Sequence, residues 1–260
     1  IAANPDDAMA HYYLGNLLYE KKRHADAILH WEASQVANNS FATVHRNLAL
    51  AYYNVLGKPE QALAFLEKAF ACNSGDARVF YELDQLYKKL GYAPEKRLAN
   101  LESHWELVTA RDDLYLEYVT LLNTLEQYEK AITLLSERKF HPWEGGEGKV
   151  TGQYVFAYVE LGKRYLSAKQ DAKAIETLKK ALIYPENLGE GKLAGAQENN
   201  IHYYLGCVYE RLGLAEKALD YFQAASHGLE EPSSAMFYND QPPDMIFYQG
   251  LAWLKLGNTK

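Results

Sequence analysis

Residues able to do chemistry are sparse in this chain, and the densest group of them is His141-Pro142-Trp143-Glu144-Gly145-Gly146-Glu147-Gly148-Lys149. Glu144 and Glu147 are a carboxylate pair that could act as acid and base on a glycosidic bond. Trp143 would then stack on the sugar ring, with His141 as a hydrogen-bonding neighbour. Two loop carboxylates are more simply two solvated charges, and no other requirement of a hydrolase accompanies them. Gly148-Lys149 is followed by Val150 rather than Ser or Thr, and no Gly stands five residues before Gly148, so a phosphate-binding P-loop is excluded. The eight His contain no His-x-x-x-His pair, and Cys-x-x-Cys is absent, so no metal site is expected. His24, His30 and His45 read as surface or packing residues. No catalytic residue and no cofactor is expected.

Composition narrows the partners. Lys and Arg number 27 against 34 Asp and Glu, a net charge of −7 that repels a phosphate backbone, so nucleic acid is not an expected partner. Only Cys72 and Cys207 are present, in unlike contexts, which argues against a disulfide framework and for a reducing, cytoplasmic compartment. No apolar run of about 18 residues occurs, so membrane insertion is not expected. Ala3-Asn4-Pro5 reads as the end of a preceding hairpin and the last helix lacks a partner, so a piece of a longer chain is expected.

The elements that hold these residues are legible from a repeat. Leu14-Gly15 is followed by Ala27 and Trp31, Leu161-Gly162 by Ala174 and Leu178, and Leu205-Gly206 by Ala218 and Phe222. Each Gly precedes its Ala by twelve residues, and each Ala precedes the bulky residue by four. Small residues at the first two positions let two antiparallel helices approach closely, while the bulky ones fill the gaps. The spacing predicts hairpins over 8–39, 42–74, 77–108, 112–139, 155–184 and 199–226, with a further first helix over 244–257. One residue is added at Gly57-Lys58-Pro59, Asp84 stands where a small residue is expected, and the third and fourth hairpins are degenerate. The long connections fall at 140–153, 185–198 and 228–243. The fold expected is all-α, a right-handed solenoid of about six and a half helical hairpins in a single array.

This pattern resembles the tetratricopeptide repeat over nearly the whole chain. More narrowly, 140–149, Glu198-Asn199-Asn200-Ile201-His202-Tyr203-Tyr204 and 237–244 resemble a bacterial group in which a β-rich region of unknown function precedes such an array. The repeat resemblance implies a concave groove lined by the first helix of each hairpin. Asn16 and Asn47 match the two Asn of the dicarboxylate-clamp class of these domains, and Arg78 matches one of its basic positions. Tyr12 departs from the first clamp Lys and Glu82 from the last basic residue, which argues against capture of a terminal carboxylate. Tyr12, Asn16, Arg46, Asn47, Arg78, Tyr81 and Gln85 remain suited to an extended peptide or a partner's loop.

A second, shorter repeat concerns the connections. Gly146-Glu147-Gly148-Lys149 and Gly189-Glu190-Gly191-Lys192 lie 43 residues apart, one repeat plus a nine-residue insertion. Equivalent loops of a solenoid emerge on one edge. His141, Trp143, Glu144, Glu147, Glu190, Asn239 and Asp240 are therefore expected on a common rim. The leading expectation is a non-catalytic scaffold that binds a protein or peptide, including an adjacent domain of its own polypeptide. The alternative is an accessory role in a carbohydrate-binding or carbohydrate-active protein, with the three loops completing a sugar site.

Overall fold

The computed structural model describes residues 4–193, 195–232 and 242–257, and these contain α-helices, one short 3-10 turn and no strand. The chain divides into two compact units, 1–115 and 116–260, with the division inside the fourth hairpin.

The first unit holds α1 (Ala8–Glu20), α2 (His24–Ala37), α3 (Ala42–Asn54), α4 (Pro59–Cys72), α5 (Ala77–Lys89), α6 (Pro94–Ser103), α7 (Trp105–Ala110) and the start of α8 (Asp112–Thr124). The second holds the rest of α8, α9 (Tyr128–Glu137), α10 (Lys149–Ser167), α11 (Asp171–Ala181), the 3-10 turn Glu186–Leu188, α12 (Asn199–Arg211), α13 (Ala215–Ala225) and α14 (Pro243–Lys255). Local sequence sets many of these limits. Asp7 and Asp76 cap α1 and α5 by accepting from backbone amides of the first turn, and Pro59 and Pro94 open α4 and α6 where no amide donor is needed.

Each hairpin turns through one residue in the left-handed region. Gly57, Gly91 and Gly213 adopt it freely, whereas Lys22, Glu126 and Lys169 hold φ of 58–59° with a side chain attached.

The repeat glycines mark the helix crossings. A methyl group built on Gly15 would lie 2.5 Å from the Trp31 ring, one on Gly162 2.7 Å from Leu178, and one on Gly206 2.6 Å from Phe222. Ala49, Ala62 and Leu66 fill the same roles in the second hairpin and are buried. The first hairpin also leans on the second, so that Leu48 joins the cluster of Leu18, Ala27, Ile28 and Trp31.

Two elements differ from the expected limits. Helix α10 starts at Lys149, inside the connection expected over 140–153, because Val150 and Tyr154 extend its buried stripe by a turn. The second helix of the third hairpin is broken at His104 (φ −126°, ψ 42°) into α6 and α7. His104 lies against the Phe70 and Phe80 rings, with centroids 5.3 and 4.7 Å away. Helix α8 is a regular thirteen-residue helix buried on nearly every side, from Leu114 through Leu122.

Candidate functional site

Helices α1, α3 and α5 carry the residues expected to line a groove, and the structure links several of them. The Asn47 side-chain amide donates to Asn16 Oδ1 at 3.0 Å, and the same oxygen accepts from Trp31 Nε1 at 3.0 Å. Arg46 donates twice to the Glu82 carboxylate, at 2.6 and 2.5 Å, and Arg78 Nε donates to it at 3.2 Å. Arg78 and Glu82 are one turn apart on α5, while Arg46 reaches across from α3. The bond to Glu82 is the main reason the Arg46 guanidinium is held above its ordinary pKa. Tyr12 lies against Phe41, with ring centroids 4.9 Å apart. Tyr81 and Gln85 are half-buried on α5, and Gln85 Nε2 is a buried donor without an acceptor.

In the sequence, Glu82 stands out only as an acid where the clamp class has a basic residue. Its partners were nonetheless encoded, since Arg78 precedes it by four residues on one helix face and Arg46 by 36, one repeat plus two. Two open recesses among the described residues of this unit lie elsewhere. One, about 250 Å³, is lined by Leu14, Leu18, Leu29 and His30, and the other, about 430 Å³, by Gln35, Tyr52, Phe65 and Lys68.

The loop residues of the second unit fall into two groups. The connections after α9 and α11 dock on each other. The Phe140 amide donates to the Asn187 carbonyl at 2.8 Å, and Asn187 Nδ2 donates to the carbonyls of Leu135 (2.7 Å) and Arg138 (2.8 Å) at the end of α9. Both carboxylate oxygens of Glu190 accept from the Gly148 amide, at 3.0 and 2.9 Å, and one accepts from Thr151 Oγ1 at 3.4 Å. Glu190 thus neutralises the amide end of α10, so the anion at the first Gly-Glu-Gly-Lys segment comes from the second.

Glu147, at the matching place in the first segment, is exposed, as are Glu144 and His141. Trp143 is half-buried and lies flat on Gly146, where a methyl would meet its ring at 2.2 Å. With Glu190 turned inward, a sugar site here has one carboxylate fewer than expected. Asn239 and Asp240 lie outside the described residues.

Asn187, Lys192 and Glu198 were not expected among the site residues, although Lys192 belongs to the second Gly-Glu-Gly-Lys segment. Lys192 and Glu198 form an ion pair, and His202 Nε2 is 3.8 Å from the same Glu198 carboxylate. Burial lowers the His202 pKa, partly offset by Glu198, and raises that of Tyr184. Among the described residues no group of three His, Cys, Asp or Glu side chains could hold a metal, and no helix is long and apolar enough to cross a membrane.

The glycine crossings just described recur in the later hairpins. Residues 1–42 are a match to the tetratricopeptide repeat. The fold of the chain is similar to that of the tetratricopeptide protein YrrB, described as having an unusual peptide-binding site, with a TM-score of 0.50 and 22% identity over 70% of this chain and 88% of that one. It is also similar to a chain of the Naa15/Naa10 complex bound to HypK-THB, with a TM-score of 0.53 and 10% identity over 86% of this chain and 32% of that one. Among curated proteins, clathrin heavy chain 2 of Homo sapiens is 29% identical over 134 residues, which are 48% of this chain and 8% of that protein. At these identities the structural likeness establishes the tetratricopeptide fold.

Proposed function

We propose that this chain is a non-catalytic scaffold that binds protein through the face formed by α1, α3 and α5. The ligand is an extended peptide or a loop, supplied by a partner or by another domain of the same polypeptide. One observation carries this reading: the Asn47–Asn16 and Arg46–Glu82 bonds tie three successive first helices together. A face fixed in advance does not have to be ordered when a ligand arrives, which saves association free energy. Tyr12 and Tyr81 add aromatic area beside the polar groups, a mixture suited to peptide contact. The peptide-binding site ascribed to YrrB is consistent with this use of the fold.

The test is a random-peptide selection on the whole chain. Selected peptides are expected to lose roughly tenfold in affinity with Tyr81→Ala or Asn47→Ala. They should be unaffected by Lys217→Ala on α13. Failure to enrich any peptide, or peptides indifferent to the first two substitutions, would overturn the proposal.

A further inference from the structure

Glu82, on the α1–α3–α5 face, receives two guanidinium groups. Arg46 grips it in a fork-to-fork arrangement from the neighbouring helix, and Arg78 adds a third bond from one turn below. The Arg46 and Glu82 side chains are 19% and 20% exposed, whereas Arg78 is 63% exposed. The site is therefore a sheltered anion seat with an open cationic edge. Other surface pairs, such as Arg23–Asp26 and Lys180–Glu176, join one exposed cation to one exposed acid. Arg111, further along, is already engaged by Asp113 through bonds of 3.0 and 2.6 Å.

We infer that Glu82 is a built-in ligand: it fills from within the chain a carboxylate seat made by Arg46 and Arg78, and so makes this face refuse acidic peptides. The inference rests on that face being a docking surface.

A planar guanidinium fork recognises any carboxylate of matching geometry, and a peptide carboxylate offers the same two oxygens as Glu82. In the native chain an incoming acid must displace Glu82 from three bonds and then remain beside it, like charge against like. Asp76, whose charge also acts on Arg46, adds to the repulsion. Replacing the Glu82 carboxylate with an amide removes one negative charge and leaves both arginines in place. Tyr12, half-buried on α1 against the Phe41 ring, gives a bound peptide a surface to lie against. The discriminating element is thus a repulsive one, set against acidic ligands, which leaves neutral segments unaffected.

The experiment measures fluorescence anisotropy of the whole chain with two labelled hexapeptides. One consists of Asp and Glu with a free C-terminal carboxylate; the other is its Asn/Gln counterpart, amidated at the C-terminus. Glu82→Gln is expected to bind the acidic peptide at least about tenfold tighter than the native chain, the scale of one charge-assisted hydrogen bond. Adding Arg46→Gln should cancel that gain. Each variant is read as its ratio of acidic- to neutral-peptide affinity, so that any loosening of the α3–α5 tie, which affects both peptides alike, drops out. Equal acidic-peptide binding by native and Glu82→Gln chains of unchanged helicity would overturn the inference, as would a gain that survives Arg46→Gln. Glu82→Met takes the place of Glu82→Gln if the amide variant melts early. Loss of the docking surface itself is read separately, from selected peptides that ignore Tyr81→Ala.

Discussion

Arg97 meets Asp84 through two hydrogen bonds, 3.1 and 2.6 Å long, with only 5% and 0% of their side chains exposed. The pair lies in the third hairpin, where Asp84 takes the position that Gly15, Gly162 and Gly206 hold elsewhere. Asp84→Ala would leave the Arg97 charge buried without this partner. The expected loss is about 3–5 kcal/mol, measured by urea unfolding. Asp84→Ala together with Arg97→Leu should recover most of it. A single variant as stable as the native chain would show that the pair is not what holds this hairpin.

The glycine crossings predict opposite outcomes at two sites. Gly206→Leu forces atoms into the Phe222 ring, because even a methyl would stand 2.6 Å away. It should lower stability by roughly 1–3 kcal/mol. Gly250, in the same repeat position on α14, has nothing within 4 Å of a built methyl. Gly250→Ala should therefore be neutral or stabilising by up to about 1 kcal/mol, through helix propensity alone. Thermal melting of the two variants checks both signs.

Glu190 acts as a cap across two loops, so Glu190→Ala should cost about 0.5–2 kcal/mol. The local readout is amide hydrogen exchange, expected to accelerate at Gly148. Glu147→Ala, which alters the equivalent but exposed acid, should leave both the melt and the Gly148 amide unchanged. Faster exchange in the Glu147 variant alone would reverse the assignment of the cap.

Acid should weaken the fold through two histidines. Burial lowers the pKa of His30, with His11 lowering it further and Asp26 opposing; burial likewise lowers that of His202. His30 Nδ1 is 2.9 Å from His11 Nδ1, and His11 Nε2 is 2.8 Å from the Pro5 carbonyl. A proton on His11 Nε2 leaves its Nδ1 as acceptor, so protonating both rings sets two N–H groups against each other. A base with a depressed folded pKa contributes stability that is fully present above its unfolded value of 6.5. That contribution fades as pH falls below it. The melting temperature should drop between about pH 8 and about pH 5. His30→Gln with His202→Gln should flatten that slope, and an unchanged slope would remove these residues from the acid response.

Much of the fold was legible because a helix crossing imposes a strict local rule. Gly15 with Trp31, Gly162 with Leu178 and Gly206 with Phe222 stand sixteen residues apart, and the structure puts each pair in direct contact. The third hairpin was harder to read because Asp84 and Arg97 stand at the two small positions, those of Gly and Ala elsewhere, as a pair of opposite charges, while Leu101 keeps the bulky position. The start of α10 was misjudged since Gly148 ends the loop in the left-handed region, while the acid that caps the helix is 42 residues away. Lys192 and Glu198 lie in segments that the sequence marks, but their ion pair and the bonds of Asn187 to the end of α9 were not legible, because their partners are six or more residues away along the chain.

By itself, the sequence determined which residues pair within a hairpin: their separation is set by the turn length, and the Gly, Ala and bulky positions repeat with it. It also determined that Arg46, Asn47, Arg78 and Tyr81 stand on first helices. Tertiary structure alone decided how these side chains are used. Whether Glu82 faces water or two arginines, and whether Glu190 or Glu147 turns inward, depends on how neighbouring hairpins seat against each other. Helical periodicity carries no record of that seating, since hydrogen bonds between hairpins form only once several residues from distant positions converge.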